Sequence, residues 1–189
     1  MKAKSFWVLA AGLFLSVFAM ASDLSQKLLS GDHVLLMRHT LAPGVGDPAG
    51  YQLRDCKTQR NLSAEGRQQA LNTGHWLRKQ GIGQAAVFSS AWCRCKDTAE
   101  WLQFKGYKVE PSLASFFDEM SQAQQRTREL ERFIAAQLPI KGQQALILVT
   151  HHVNIFEFMG QNVGSGDMVL AKVNAQGKMM SYQVIPRPD

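Results

Sequence analysis

Three places in the chain put arginine or histidine just beyond an apolar run. Arg38-His39 closes "HVLLMRHT", Arg94 lies in "SSAWCRCKDTA" after "AAVF", and His151-His152 follows "ALILVT". Guanidinium groups are permanently charged planar forks that match phosphate oxygens two at a time. A neutral imidazole can attack phosphorus, and a second can donate to the oxygens. These residue types therefore suit phosphoryl transfer through histidine, with arginines neutralising the charge that a metal handles elsewhere. No group of three or four ligands with metal-site spacing occurs, so no metal and no cofactor are expected. Any one of these pairs alone would be weak evidence; their common position after apolar runs gives them weight.

The elements that must carry them alternate. "HVLLM", "AAVFSS" and "QALILVTHH" are short continuous apolar runs, as expected of strands buried on both faces. "YKVEPS" reads as a short third strand. A helix opens at Ser63 and stops at Gly81, a second runs from about Trp92 to Phe104, and a third from about Ser121 to Leu138. "VNIFEFMG" is a further helix, and "DMVLAKVN" and "GKMMSYQVI" read as a closing hairpin. The class is α/β, three-layer, with a mainly parallel central sheet, helices on both faces and a C-terminal β-hairpin. Ligands of such sheets bind beyond the carboxyl ends of the strands, where the arginines and histidines fall. Leu41 to Asn61 is a long Gly-, Pro- and Asp-rich loop, and loops of that length in compact domains are usually functional or disordered. Asn61 is a candidate to reach the phosphate from it. The unsatisfied N–H groups at the helix start near Trp92 are expected to add to the anion site. His33 begins its strand, at the far edge of the sheet, and His75 lies on a helix, so both are expected to be structural or surface residues.

The chain begins with Lys2 and Lys4, an apolar stretch from Phe6 to about Phe18, and Ala19-Met20-Ala21. That is the pattern of a secretory signal cut after Ala21, too short for a membrane span. Residues 1–21 are thus expected to be removed, leaving one domain over 22–189 that is exported, periplasmic or secreted. Loss of the two lysines lowers the formal net charge of +6 by two, and no basic run tracks a phosphate backbone, so a nucleic-acid partner is not expected. The three cysteines, Cys56, Cys93 and Cys95, permit one disulfide and leave one thiol. Cys56 lies in the long loop, which must pass near the helix bearing Arg94, so a bridge from Cys56 to Cys93 or Cys95 is expected.

Taken together, the chain resembles the histidine phosphatase superfamily, the phosphoglycerate-mutase-like fold. Arg38-His39-Thr40 matches its Arg-His-Gly motif, Ser90, Arg94, Thr98 and Ala99 match "SxxxRxxxTA", and His151 matches its second histidine. "LSAEGRQQA" is similar to its "LTxxGxxQA" helix start. The resemblance runs from about His33 to about Phe158. It implies that His39 becomes phosphohistidine, that Arg38 and Arg94 clamp the phosphoryl oxygens, that His151 stabilises them, and that His152 supports the site from beside it. It also implies that Cys95 occupies a small buried position of the motif, which favours Cys93 as the partner of Cys56.

Two departures stand out. Thr40 replaces the family's glycine, and its usual glutamate is not evident. Ser115 lies near that place, and Asp118 and Glu119 follow, either a candidate proton donor if Phe116 and Phe117 bury it. The segment from Ser112 to Leu138 has room for little more than one helix, so no large cap covers the site. An open site favours a phosphomonoesterase acting on a phosphate displayed by something larger, and small exported relatives are associated with envelope sugar phosphates, a glycolipid substrate among them. The alternatives are a phosphate-binding module that has lost turnover, and a redox or copper protein built on "WCRC". The second leaves Arg38, His39 and His151 unexplained.

Overall fold

The computed structural model describes residues 22–189, so the expected export signal, residues 1–21, lies outside the described residues. In chain order the elements are α1 (Asp23–Leu29), β1 (His33–Arg38), α2 (Ala64–Lys79), β2 (Ala85–Ser89), α3 (Cys93–Trp101), β3 (Lys108–Val109), α4 (Ala123–Gln137), β4 (Ala145–Thr150), α5 (His152–Met159), β5 (Met168–Val173) and β6 (Met179–Ile185). The six strands form one sheet in the order β3-β2-β4-β1-β5-β6. β4 is parallel to both β1 and β2, and β2 to β3. β5 lies antiparallel to β1 and closes the sheet with β6 as an antiparallel hairpin.

Alternation along the central strands explains the three layers, because successive side chains leave a strand on opposite faces. Val34 and Leu36 of β1 join Leu130 and Ile134 of α4 and Ile155 and Phe158 of α5 on one face. Leu35 and Met37 join Leu24 and Leu28 of α1, Leu77 of α2 and Ala99 of α3 on the other. β4 is buried along its whole length, which is why it reads as an unbroken apolar run. Among the described residues, no helix is long and apolar enough to cross a membrane.

Register brings the strand ends level. Arg38 pairs with Thr150, and Ser89 with Val149, so the residues that follow β1, β2 and β4 emerge at one edge. Three elements differ from expectation. α3 ends at Trp101 rather than Phe104, because Leu102 caps it and Gln103 turns left-handed at φ 56°. β3 shrinks to two residues at the sheet edge. α1 is an additional helix; its Leu24 and Leu28, one turn apart, seal the sheet face beside β1.

Candidate active site

His39 follows β1 and is 1% exposed. Its backbone N–H donates to Thr150 O, which ties the end of β1 to the end of β4. Its ring Nδ1 lies 2.8 Å from Thr40 O. A carbonyl only accepts, so Nδ1 carries the proton and Nε2 keeps its lone pair. Burial, reinforced by Arg94, Arg60 and Arg38, pushes the His39 pKa down to about 3, against the opposing pull of the Thr40 bond. The ring is therefore neutral across the physiological range.

Thr40, at the family's glycine position, is accommodated without a left-handed turn. Its N–H donates to Thr98 Oγ1 at 3.1 Å, its hydroxyl lies 3.1 Å from the same atom, and Thr98 Oγ1 donates to Arg94 O. The threonine thus links the residue after His39 to the helix that carries Arg94.

His151 caps α5 at the end of β4 and is buried. Its Nε2 lies 2.8 Å from Ser90 Oγ, and its ring meets that of His39 edge-on with centroids 5.6 Å apart. Burial, then the neighbouring His39 and Arg94, holds its pKa well below the usual histidine range. His152 lines the same cavity, and its pKa is lowered by burial and by Arg38. Cys95 sits under His151, with Sγ 3.5 Å from Nε2, and burial pushes its thiol up to about 12, so it is an inert core residue.

A cavity of about 220 Å³ joins these groups. Arg38, His39, Arg94, His151, His152 and Asp118 all line it. Arg38 donates from Nη1 to Val163 O, and its buried Nε has no partner. Arg94 Nε is likewise buried and unpartnered. Both arginines line the cavity, and a buried guanidinium nitrogen without a partner is a donor left over for an anion.

Three expectations are corrected here. Asn61 does not line the cavity; its amide donates to Cys56 O and Gln59 O and serves to hold the loop. Asp118 reaches the cavity mouth, but it is exposed rather than buried by its neighbours: Phe116 turns into a small apolar cluster while Phe117 stays 41% exposed. Asp118 instead accepts from Tyr51 OH at 3.3 Å. Glu119 is exposed and outside the cavity. Finally, the start of α3 contributes a side chain rather than its first amide, since Cys93 N–H is already bound to Gln59 Oε1 at 2.9 Å. His33 pairs with Asp32 at the far end of β1, and His75 is exposed, both away from the cavity as expected.

The long loop supplies two charged lining residues that the sequence did not single out. Arg60 stands just before Asn61 and is a third guanidinium in the cavity, tied by Nε to Gly46 O and by Nη1 to Ala42 O. Asp47 is buried against Arg94, with its two oxygens 2.9 and 3.0 Å from Arg94 Nη1. The only signal of either was a charged residue inside a Gly- and Pro-rich loop, which does not tell an inward side chain from a solvated one.

The loop is pinned at both ends. Cys56 is bonded to Cys93, next to Arg94, and Cys95 is the free thiol, as the resemblance implied. At the other end Ser63 N–H donates to Leu41 O. There α2 crosses so close that a Cβ on Gly66 would stand 2.1 Å from Leu41 O, so the position requires glycine.

The sequence pattern of the histidine phosphatase superfamily, branch 1, matches residues 34–139. No protein of curated function matches the sequence. Among solved structures, the chain is similar to the protein histidine phosphatase SixA complexed with tungstate, at 17% identity and a TM-score of 0.58, covering 82% of this chain and 97% of that one. It is also similar to the product of open reading frame Rv3214 from Mycobacterium tuberculosis, at 15% identity and 0.59, covering 82% and 96%. A third is mycobacterial glucosyl-3-phosphoglycerate phosphatase Rv2419c, at 16% and 0.54, covering 84% and 99%. At these identities the likeness is one of fold.

Proposed function

The chain belongs to the histidine phosphatase superfamily, and from that premise we propose that it is a metal-independent phosphomonoesterase of the exported envelope compartment, acting through phosphohistidine. The observation that carries this reading is the bond from His39 Nδ1 to Thr40 O, which leaves a neutral Nε2 in a cavity lined by three arginines. In this reading Arg38, Arg60 and Arg94 grip the phosphoryl oxygens. His39 Nε2 attacks phosphorus, and the phosphorus–oxygen bond to the leaving group breaks. The leaving oxygen takes its proton from water at the open mouth, beside the Asp118 carboxylate and the Tyr51 hydroxyl. Water then attacks the phosphohistidine with the Asp118 carboxylate accepting its proton, the phosphorus–nitrogen bond breaks, and its electrons return to Nε2. His151 donates to the phosphoryl oxygens as charge builds, and His152 supports it from the cavity wall.

Two features bear on compartment and substrate. The Cys56–Cys93 bridge suits an oxidising environment, in keeping with the N-terminal signal pattern. The mouth offers the exposed ring of Phe117, the Tyr51 hydroxyl and the Asp118 carboxylate, an aromatic face beside polar groups, which suits the ring and hydroxyls of a sugar phosphate.

The test is rapid mixing with a radiolabelled phosphomonoester followed by quenching. The protein should carry label that is lost in acid and kept in base, as a phosphoramidate is, with turnover unaffected by EDTA. His39→Ala should abolish labelling and turnover together. Acid-stable label, or full activity in the variant, would show that His39 is not the nucleophile.

A further inference from the structure

We propose that Asp47 is a positioning residue of the phosphate cage, which aims Arg94 and trims the cage's positive charge so that phosphate can leave. The proposal rests on the reading of this cavity as a phosphate site and assigns a part to a residue that none of the family motifs contains.

Asp47 is held by four hydrogen bonds from three donor groups. Oδ1 accepts from the Arg60 backbone N–H at 2.9 Å and from Arg94 Nη1 at 2.9 Å. Oδ2 accepts from Arg94 Nη1 at 3.0 Å and from Trp92 Nε1 at 3.1 Å. Its side chain is 4% exposed, which a carboxylate tolerates only when paired in this way. Asp47 therefore draws together Arg94 of α3, the loop backbone at Arg60 and Trp92, the residue that caps α3.

The consequence for Arg94 is directional. Each of its side-chain hydrogen bonds runs through Nη1, to Asp47 and to Arg60 O. Nε is buried without a partner. With Nη1 occupied, the edge formed by Nε and Nη2 is the one left for two phosphoryl oxygens, the bidentate geometry a guanidinium favours. Without Asp47 the guanidinium would be free to offer other edges.

The second consequence is one of charge. Three guanidiniums converge on the cavity and the histidines are neutral, so the walls would hold a phosphate dianion with a charge to spare. Asp47 removes that surplus from inside the cage. Asp118 is also acidic, but it sits exposed at the mouth, where water screens it. An enzyme that must release inorganic phosphate on every turnover gains from a cage that is not too attractive to it.

The experiment uses inorganic phosphate as the probe, read by thermal shift and by competitive inhibition. Phosphate should raise the melting temperature of the unaltered protein; if it does not, the reading of the cavity has failed, whatever Asp47 does. Given that binding, Asp47→Asn should melt lower without phosphate, because three like charges lose their counter-ion. It should also bind phosphate about tenfold tighter, since a like charge has left the site. Its kcat should fall while its KM does not rise, as slower phosphate release requires. Asp47→Glu should return phosphate affinity toward the starting value, and Asp47→Ser is read in the same way as the asparagine variant if the latter does not fold. Phosphate binding no tighter than in the unaltered protein overturns the proposal and leaves Asp47 as a strut of the loop.

Discussion

The cavity has two walls built by different means. One consists of Arg38, His39 and His151, which leave the ends of β1 and β4, strands bonded to each other along their length. The other consists of Asp47 and Arg60, borne by a loop with one turn of 3-10 helix, Cys56–Thr58, and an isolated bridge between Gln52 and Asp55. The strand wall is rigid because backbone ladders and two apolar cores fix it. The loop wall is rigid because of a disulfide, a buried ion pair and side chains bonded to backbone. A ladder survives the loss of any one side chain, whereas the loop depends on a handful of named contacts.

That contrast can be tested in order of expected effect. The most severe test asks whether the loop wall shares in the chemistry. Arg60→Ala should lower kcat/KM about 10²–10³-fold, as loss of a transition-state donor does elsewhere. A loss below tenfold would reduce Arg60 to a tether and leave catalysis to the strand wall.

A smaller effect separates how the walls are held. The Cys56–Cys93 bridge closes a loop of sequence separation 37, and a bridge of that span contributes on the order of 3–4 kcal/mol. Cys56→Ser should lower the denaturation midpoint accordingly, and limited proteolysis should cut first between residues 42 and 60. Cleavage that begins instead in the strands or helices would mean that the loop is held without its disulfide.

The smallest effect belongs to the strand wall and to pH. The folded pKa of His39 is about 3 against an ordinary value of 6.5, and that of His151 is lowered in the same direction. Between those values the unfolded chain binds protons that the folded chain does not. Stability is therefore full above about pH 6.5 and falls as pH drops toward 3. His39 contributes a slope of about 1.4 kcal/mol per pH unit in that window, and His151 adds to it in the same direction. For His39 alone that is about 2 kcal/mol at pH 5. His39→Gln should flatten the acid limb of the stability curve, and an unchanged limb would place the acid sensitivity elsewhere.

The same contrast explains what was readable beforehand. Strand-borne residues announced themselves: "HVLLMRHT" and "ALILVTHH" carry their chemistry at the ends of apolar runs, and the ordered motifs around Ser90, Arg94 and Thr98 pointed to the family. The alternation of short apolar strands with helices was enough to give the layers. The pairing of Cys56 with Cys93 followed once the motif placed Cys95 in the core.

The loop was legible as a loop and no further. Asn61 and Arg60 are neighbours, and the first faces its own backbone while the second reaches the cavity. Nothing in a sequence without periodicity distinguishes the two, because direction there is set by contacts with residues far along the chain. Asp47 turns inward because Arg94, 47 positions away, awaits it. Asp118 stays exposed because only one of its two phenylalanine neighbours finds a core to enter. The sequence by itself determined the strands, the helices and the chemistry at their ends, since those depend on local period and residue type. Tertiary structure alone decided which charges share the cavity, because that depends on where a disulfide and a buried ion pair close the loop.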